Sequence, residues 1–244
     1  VGEIVLDVQN VTKQHKNHRG IFHINLTLHK GDVFGLMGPN GAGKSTLFKI
    51  LVGLIKADQG KIRFFGHSLD TAFEQAMKKV GCLIEKSVAY EHLSALQNLQ
   101  LAARFYADIH PKDIEEALKT VGLYEVRKEK VSDFSAGMKQ RIALANALIS
   151  NPVFVILDEP ITNLDLDGMI EVRNIIHHLS TEKGITFLIS SHSANEMEKI
   201  CNRVGVLFKG ELLKIGDIDE LTERQSLEEF YLNCVQTNGV KDHE

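Results

Sequence analysis

The chain has 244 residues, 43% hydrophobic and 25% charged, enough apolar mass for one large domain or a core with a subdomain. A formal net charge of −4 argues against a protein that lives on nucleic acid. Three scattered cysteines, Cys82, Cys201 and Cys234, with no C-x-x-C pair, exclude a disulfide framework and point to a reducing cytosol. No stretch has the length of a transmembrane helix and no secretory signal opens at Val1, so a membrane role is expected to need a separate membrane-spanning partner.

Alternating apolar residues at Ile4, Leu6 and Val8, then at Phe22, Ile24, Leu26 and Leu28, predict half-buried antiparallel strands, and Lys61 to Phe65 predicts another. Val33 to Met37 is a short apolar run that reads as a buried parallel strand. It leads into Gly38-Pro39-Asn40-Gly41-Ala42-Gly43-Lys44-Ser45-Thr46, which fits the P-loop pattern. Leu47, Ile50, Leu51 and Leu54 then recur at helical spacing. A strand, a glycine-rich loop and a helix start in that order make a phosphate cradle. The glycines let backbone N–H groups converge, and the helix end adds partial positive charge. In such a loop Lys44 reaches the β- and γ-phosphates and the Ser45 hydroxyl holds Mg²⁺.

Val80 to Ile84, Phe154 to Leu157 and Ile185 to Ile189 read as three more buried parallel strands. Between the first two the period becomes helical. Ser94 and Gln97 form a capping box before Leu96, Leu99, Ala103 and Tyr106. Pro111 opens a second helix through Ile114, Ala117, Leu118 and Val121, which Gly122 closes. A charged link from Glu125 to Lys130 follows. A third helix starts near Ser135, carries Met138, Ile142, Ala145 and Ile149, and ends at Asn151-Pro152. Leu221, Leu227, Phe230 and Tyr231 predict a terminal amphipathic helix, with Thr237 to Glu244 frayed. The strand from Phe154 ends in Asp158-Glu159: a strand-end Asp helps P-loop proteins hold Mg²⁺, and the next carboxylate can take a proton from an attacking water.

In motif order the chain resembles the ATP-binding subunit of an ABC transporter from about Ile4 to Tyr231. Lys44-Ser45 matches Walker A, Asp158-Glu159 matches Walker B with its catalytic Glu, Leu164-Asp165 matches the D-loop, and His192 matches the switch histidine. Phe134-Ser135-Ala136-Gly137-Met138 stands at the signature motif. The resemblance implies an α/β P-loop NTPase (RecA-like) fold with an antiparallel β subdomain and an inserted helical subdomain. The expected organisation is one ATP-binding domain over 1–236, made of core segments 1–86 and 152–220, helical subdomain 87–151 and C-terminal helix 221–236, then a flexible tail 237–244. It further implies ATP and Mg²⁺ as cofactors, with Glu159, His192 and Lys44 catalytic and with Ser45, Asp158 and Glu85 toward the metal. The signature residues Ser135 to Met138 would cap the ATP of a second copy, in a head-to-tail dimer on the cytoplasmic face of the membrane, bound to a polytopic permease.

Three residues depart from the pattern. Glu85 replaces the usual glutamine; its carboxylate can bind Mg²⁺ or a water but adds negative charge beside the triphosphate. With Tyr90 to Ser94 and Ser135 to Arg141 it resembles the bacitracin-resistance and lantibiotic-immunity group. Ala136 replaces a glycine, a modest change where φ is negative, so activity is expected to survive. His15 stands where an aromatic stacks on adenine, and a smaller imidazole predicts weaker stacking. Tyr90 and Leu93 are the expected permease contacts. His177 and His178 are expected on an exposed helix face. Other readings within reach of the resemblance are an ATPase that signals or remodels at the membrane, and a soluble member acting on ribosomes or DNA. A single cassette, no heptads and the acidic charge disfavour the last.

Overall fold

The computed structural model describes residues 2–16, 18–85, 89–223 and 225–239. In chain order the elements are β1 (Ile4–Gln14), β2 (Gly20–His29), β3 (Val33–Met37), α1 (Lys44–Leu51), β4 (Gln59–Phe64), β5 (His67–Ser68), α2 (Phe73–Met77) and β6 (Val80–Leu83). Next come α3 (Ala95–Ala103), α4 (Pro111–Thr120), α5 (Ala136–Leu148), β7 (Phe154–Asp158), α6 (Leu166–Glu182) and β8 (Thr186–Ser191). The chain continues with α7 (Ala194–Ile200), β9 (Arg203–Phe208), β10 (Glu211–Asp217), α8 (Ile218–Thr222) and α9 (Leu227–Gly239).

Two sheets form. One has four strands in the order β2-β1-β4-β5, all antiparallel; the other has six in the order β10-β9-β3-β8-β7-β6. In the larger sheet β9, β3, β8, β7 and β6 run parallel and β10 folds back antiparallel on β9. β3 and the first four residues of β7 are wholly apolar because both of their faces are covered. Period-2 alternation then sends successive side chains to opposite cores. Phe154 and Ile156 of β7 join Phe34, Leu36 and Leu188 in a core shared with the four-stranded sheet and α1. Val155 and Leu157 join Val33, Met37, Phe187 and Ile189 in a second core under the helices. These four β7 side chains are fully buried, each stabilising by about 2 kcal/mol. The strand that delivers Asp158 is therefore clamped from both sides.

The starts of α3 and α4 and the end of α4 fall where their signals stand. Ser94 Oγ accepts from Gln97 N at 3.2 Å while Gln97 Oε1 accepts from Ser94 N at 2.9 Å. Pro111 is the first residue of α4, and Gly122 follows its end in the left-handed region. His177 and His178 lie exposed on α6.

Several expectations need correction. Ile4 is exposed and Val5 takes its place inside; likewise Ile21, not Phe22, is fully buried. The cause is a break in alternation where β1 and β2 shift register, with Asn10 and His23 both at positive φ and joined side chain to side chain at 2.8 Å. Leu54 is not helical: α1 stops at Leu51, Gly53 turns the chain at φ 77°, and Leu54 is left exposed. Tyr106 lies beyond α3, which ends at Ala103, and is exposed. The strand from Val80 is the sheet edge, so Cys82 faces out. The single terminal helix is two, α8 and α9, and 237–239 are helical; residues 240–244 lie outside the described ones.

Candidate active site

The C-terminal ends of β3, β7 and β8 lie level, with Ser190 of β8 in register with both Leu36 and Asp158. In open parallel sheets, ligands bind at this edge. The loop after β3 fits against the sheet only as glycine in places. A Cβ on Gly38 would come 2.3 Å from the Leu207 carbonyl oxygen, and one on Gly43, at φ 112°, 2.6 Å from Ile21 Cγ2. Gly43 is also the N-cap of α1 and makes no side-chain cap, so the first N–H groups of the helix stay available to an anion.

Lys44, only 6% exposed, bends back into this loop. Its Nζ donates to the carbonyl oxygens of Gly38 at 2.6 Å and Pro39 at 3.3 Å, and lies 3.5 Å from Glu159 Oε1. Glu159 Oε2 accepts from Thr162 Oγ1 at 2.6 Å and meets His192 Nδ1 at 2.8 Å. Behind it Asp158 is buried at the end of β7 and accepts from Ser190 Oγ at 2.5 Å. One carboxylate, an ammonium, a hydroxyl, an imidazole and a set of converging N–H groups thus share one cleft of about 440 Å³. Such an arrangement can hold an anionic phosphate chain against a proton acceptor.

Of the residues expected at the site, 39–41 and 43–46 wall the cleft with Glu159 and His192. Gly38, Ala42 and Asp158 support it from behind; Ala42 is buried, and its carbonyl oxygen accepts from Gly210 N. Arg19, Gly20 and Thr162 wall it as well, and the sequence reading missed all three. His15 is not in the wall; it is exposed, its backbone N–H bonded to the Arg19 carbonyl. Glu85 is not in the wall either: it is ion-paired to Lys49 of α1 and sits at φ 62°.

The signature residues lie elsewhere in the chain's own fold. Ser135 caps α5, its Oγ accepting from Met138 N at 3.2 Å, and Asp165 caps α6, accepting from Gly168 N at 3.1 Å. The two helix starts touch through backbone: a Cβ on Gly137 would lie 3.2 Å from Gly168 Cα.

Residues 21–162 match the family model described as ABC transporter. The chain belongs to the ABC transporter family. It is 38% identical over 221 residues to a protein named bacitracin transport ATP-binding protein BcrA of Bacillus licheniformis, covering 90% of this chain and 72% of that one. It is 36% identical over 231 residues to lantibiotic transport ATP-binding protein SrtF of Streptococcus pyogenes, covering 95% and 97%. Among solved structures, one titled as the ATP-binding subunit of an ABC transporter superposes with TM-score 0.83 at 26% identity, covering 95% of this chain and 99% of that one. A dimeric ATP-binding cassette in a post-hydrolysis state with ADP and Pi superposes at TM-score 0.76 and 26% identity, covering 87% and 98%. This ABC protein is accordingly an ATP-binding, ATP-hydrolysing subunit on an α/β P-loop NTPase fold. Its family works as dimers with membrane permease subunits.

Proposed function

We propose that this subunit powers a membrane exporter for antimicrobial peptides of the bacitracin or lantibiotic type, from the cytoplasmic face of the membrane. The observation that carries the catalytic part is the cluster of Lys44, Thr162 and His192 around Glu159 inside the P-loop cleft. In this reading Lys44 exchanges the Gly38 and Pro39 carbonyls for phosphate oxygens, and the α1 N-terminus holds the same anion. Glu159 accepts the proton of the attacking water. His192 senses the γ-phosphate from the end of β8. The names of the relatives support the substrate class.

No group of three or more His, Cys, Asp or Glu that could hold a metal occurs among the described residues. Mg²⁺ at a nucleotide site needs no such cage, since phosphate oxygens and waters supply most ligands. The Ser45 hydroxyl in the cleft wall and the Asp158 carboxylate are oxygen donors of the right kind. They would hold Mg²⁺, which when bound would neutralise charge on the phosphates. Glu85, held by Lys49, is left out of this set.

Ser135 to Met138 are assigned to the second copy's ATP in a head-to-tail dimer, Asp165 to the D-loop, and 87–151, of which 87 and 88 lie outside the described residues, to a helical subdomain of one ATP-binding domain. No helix among the described residues is long and apolar enough to cross a membrane, so the transport path falls to the permease. Its docking site is assigned to a groove of about 360 Å³ between core and helices, walled by Val52, Leu54, Met77, Leu83 and Asn146. Exposed Tyr90 stands in the segment that follows β6, its backbone fastened to the Asn98 side chain at 2.8 and 3.1 Å.

The test is Glu159→Gln. It should bind ATP with ordinary affinity while turnover falls about 10²–10⁴-fold. Co-expressed with its permease, the wild type but not this variant should protect a sensitive host from bacitracin or a lantibiotic. Normal ATP hydrolysis by Glu159→Gln would remove Glu159 as the base. Absence of protection by an active wild type would remove the substrate class.

A further inference from the structure

We infer that Ser190 is a positioning residue for ATP hydrolysis, its hydroxyl setting the two carboxylates Asp158 and Glu159 relative to each other. The inference rests on the roles proposed above for those carboxylates. Ser190 lies on β8, 0% exposed, one strand away from Asp158 and in register with it. A serine hydroxyl has one proton to give and lone pairs to receive. Here the proton goes to Asp158 Oδ1 at 2.5 Å, and the oxygen accepts the backbone N–H of Glu159 at 2.9 Å. One atom therefore joins the side chain of the first carboxylate to the main chain of the second.

Both bonds have consequences at the cleft. The bond to Asp158 is charge-assisted and engages one named oxygen, which fixes the rotation of a carboxylate assigned to the metal. The bond to Glu159 holds a residue whose φ is 51°, a backbone setting that non-glycine residues rarely keep unless their surroundings fix it. That turn out of β7 is what lets the Glu159 side chain reach Lys44, Thr162 and His192. Partners that orient ligands and bases in this way typically change metal affinity or activity by about 10–100-fold when removed.

Ser190→Ala takes away donor and acceptor together. ATP affinity measured in EDTA should stay at the wild-type value, because the loop after β3 is untouched. kcat should fall by about 10–100-fold. The Mg²⁺ concentration giving half-maximal thermal stabilisation in the presence of a non-hydrolysable ATP analogue should rise by about tenfold or more. Ser190→Thr, which keeps the hydroxyl, should restore both. Wild-type kcat and wild-type Mg²⁺ dependence in Ser190→Ala would overturn the inference. If that variant does not fold, Ser190→Cys and Ser190→Thr decide: loss in Cys with retention in Thr supports the role, and equal behaviour overturns it. Glu159→Gln run in parallel separates the two levels. If it is inactive while Ser190→Ala is fully active, only the Ser190 inference falls; if it hydrolyses ATP normally, the carboxylate assignment falls and takes the inference with it.

Discussion

Gly81 lies far along the chain from every residue of the cleft, yet Gly81→Ala should reduce ATP turnover. It sits in β6, buried, facing α5. A Cβ there would stand 2.1 Å from the Ala147 carbonyl oxygen and 3.1 Å from Pro152 Cγ, where ordinary contact begins near 3.4 Å. The obstacle is helix backbone, which cannot rotate aside, so α5 or β6 must retreat by about 1.3 Å. Forcing a methyl into such a contact typically costs about 1–3 kcal/mol, and for a domain of this size each kcal/mol lowers Tm by about 2–4 °C. α5 also carries Ser135 at its start, so the retreat moves the signature end. Misplacement by about 1 Å can cost on the order of 10²-fold in rate. ATP affinity, set by the loop after β3, should hardly change. Differential scanning fluorimetry, a fluorescent-ATP titration and a phosphate-release assay read the three quantities separately. A Gly81→Ala protein with wild-type Tm and wild-type turnover would show that the β6–α5 contact does not set the signature helix.

Arg203 Nη1 pairs with Asp32 Oδ2 at 2.5 Å, with Asp32 only 12% exposed, so Arg203→Met should cost about 2 kcal/mol and lower Tm by several degrees. The exposed pair Lys183–Glu116 at 2.9 Å should matter far less, with Lys183→Met shifting Tm by under about 2 °C. Lys183 holds the Glu116 carboxyl below its ordinary value, so this small contribution is present at neutral pH and lost as pH falls through the lowered value. Tm of both variants measured across pH checks this. Cys201 is buried against Met197 Sδ at 3.6 Å, and burial pushes its thiol far above the usual range. It should be the last of the three cysteines to react with a thiol reagent, and only on unfolding; mass spectrometry of labelled native protein reads this directly.

The site was legible where it is local in sequence. Gly38 to Thr46 and Asp158-Glu159 each announce their chemistry within a few residues, and apolar runs gave β3 and β7 because both faces of those strands are buried. What stayed hidden depends on contacts between distant segments. Arg19 reaches the cleft from a loop far from the P-loop in sequence; Thr162 is local to Glu159 but sits in a turn that no period encodes. Glu85 is captured by Lys49 of α1, an ion pair that sequence spacing does not foretell. Alternation failed at Ile21 because Asn10 and His23 bend the hairpin without a glycine to mark the place. The β9–β10 hairpin did carry a signal, the Lys209-Gly210 turn between apolar runs, which the reading passed over.

The backbone contact between Gly137 and Gly168 ties two duties to one point. In the proposed dimer, α5 begins at the partner's nucleotide, while α6 begins a few residues after the Glu159 that serves the chain's own. With no side chain between the helix starts, a shift of one presses on the other, so each subunit would hear of events at the neighbouring ATP through this contact. Conversation between the two sites is then a matter of geometry, and a methyl on Gly137, 3.2 Å from Gly168 Cα, would press directly on the joint.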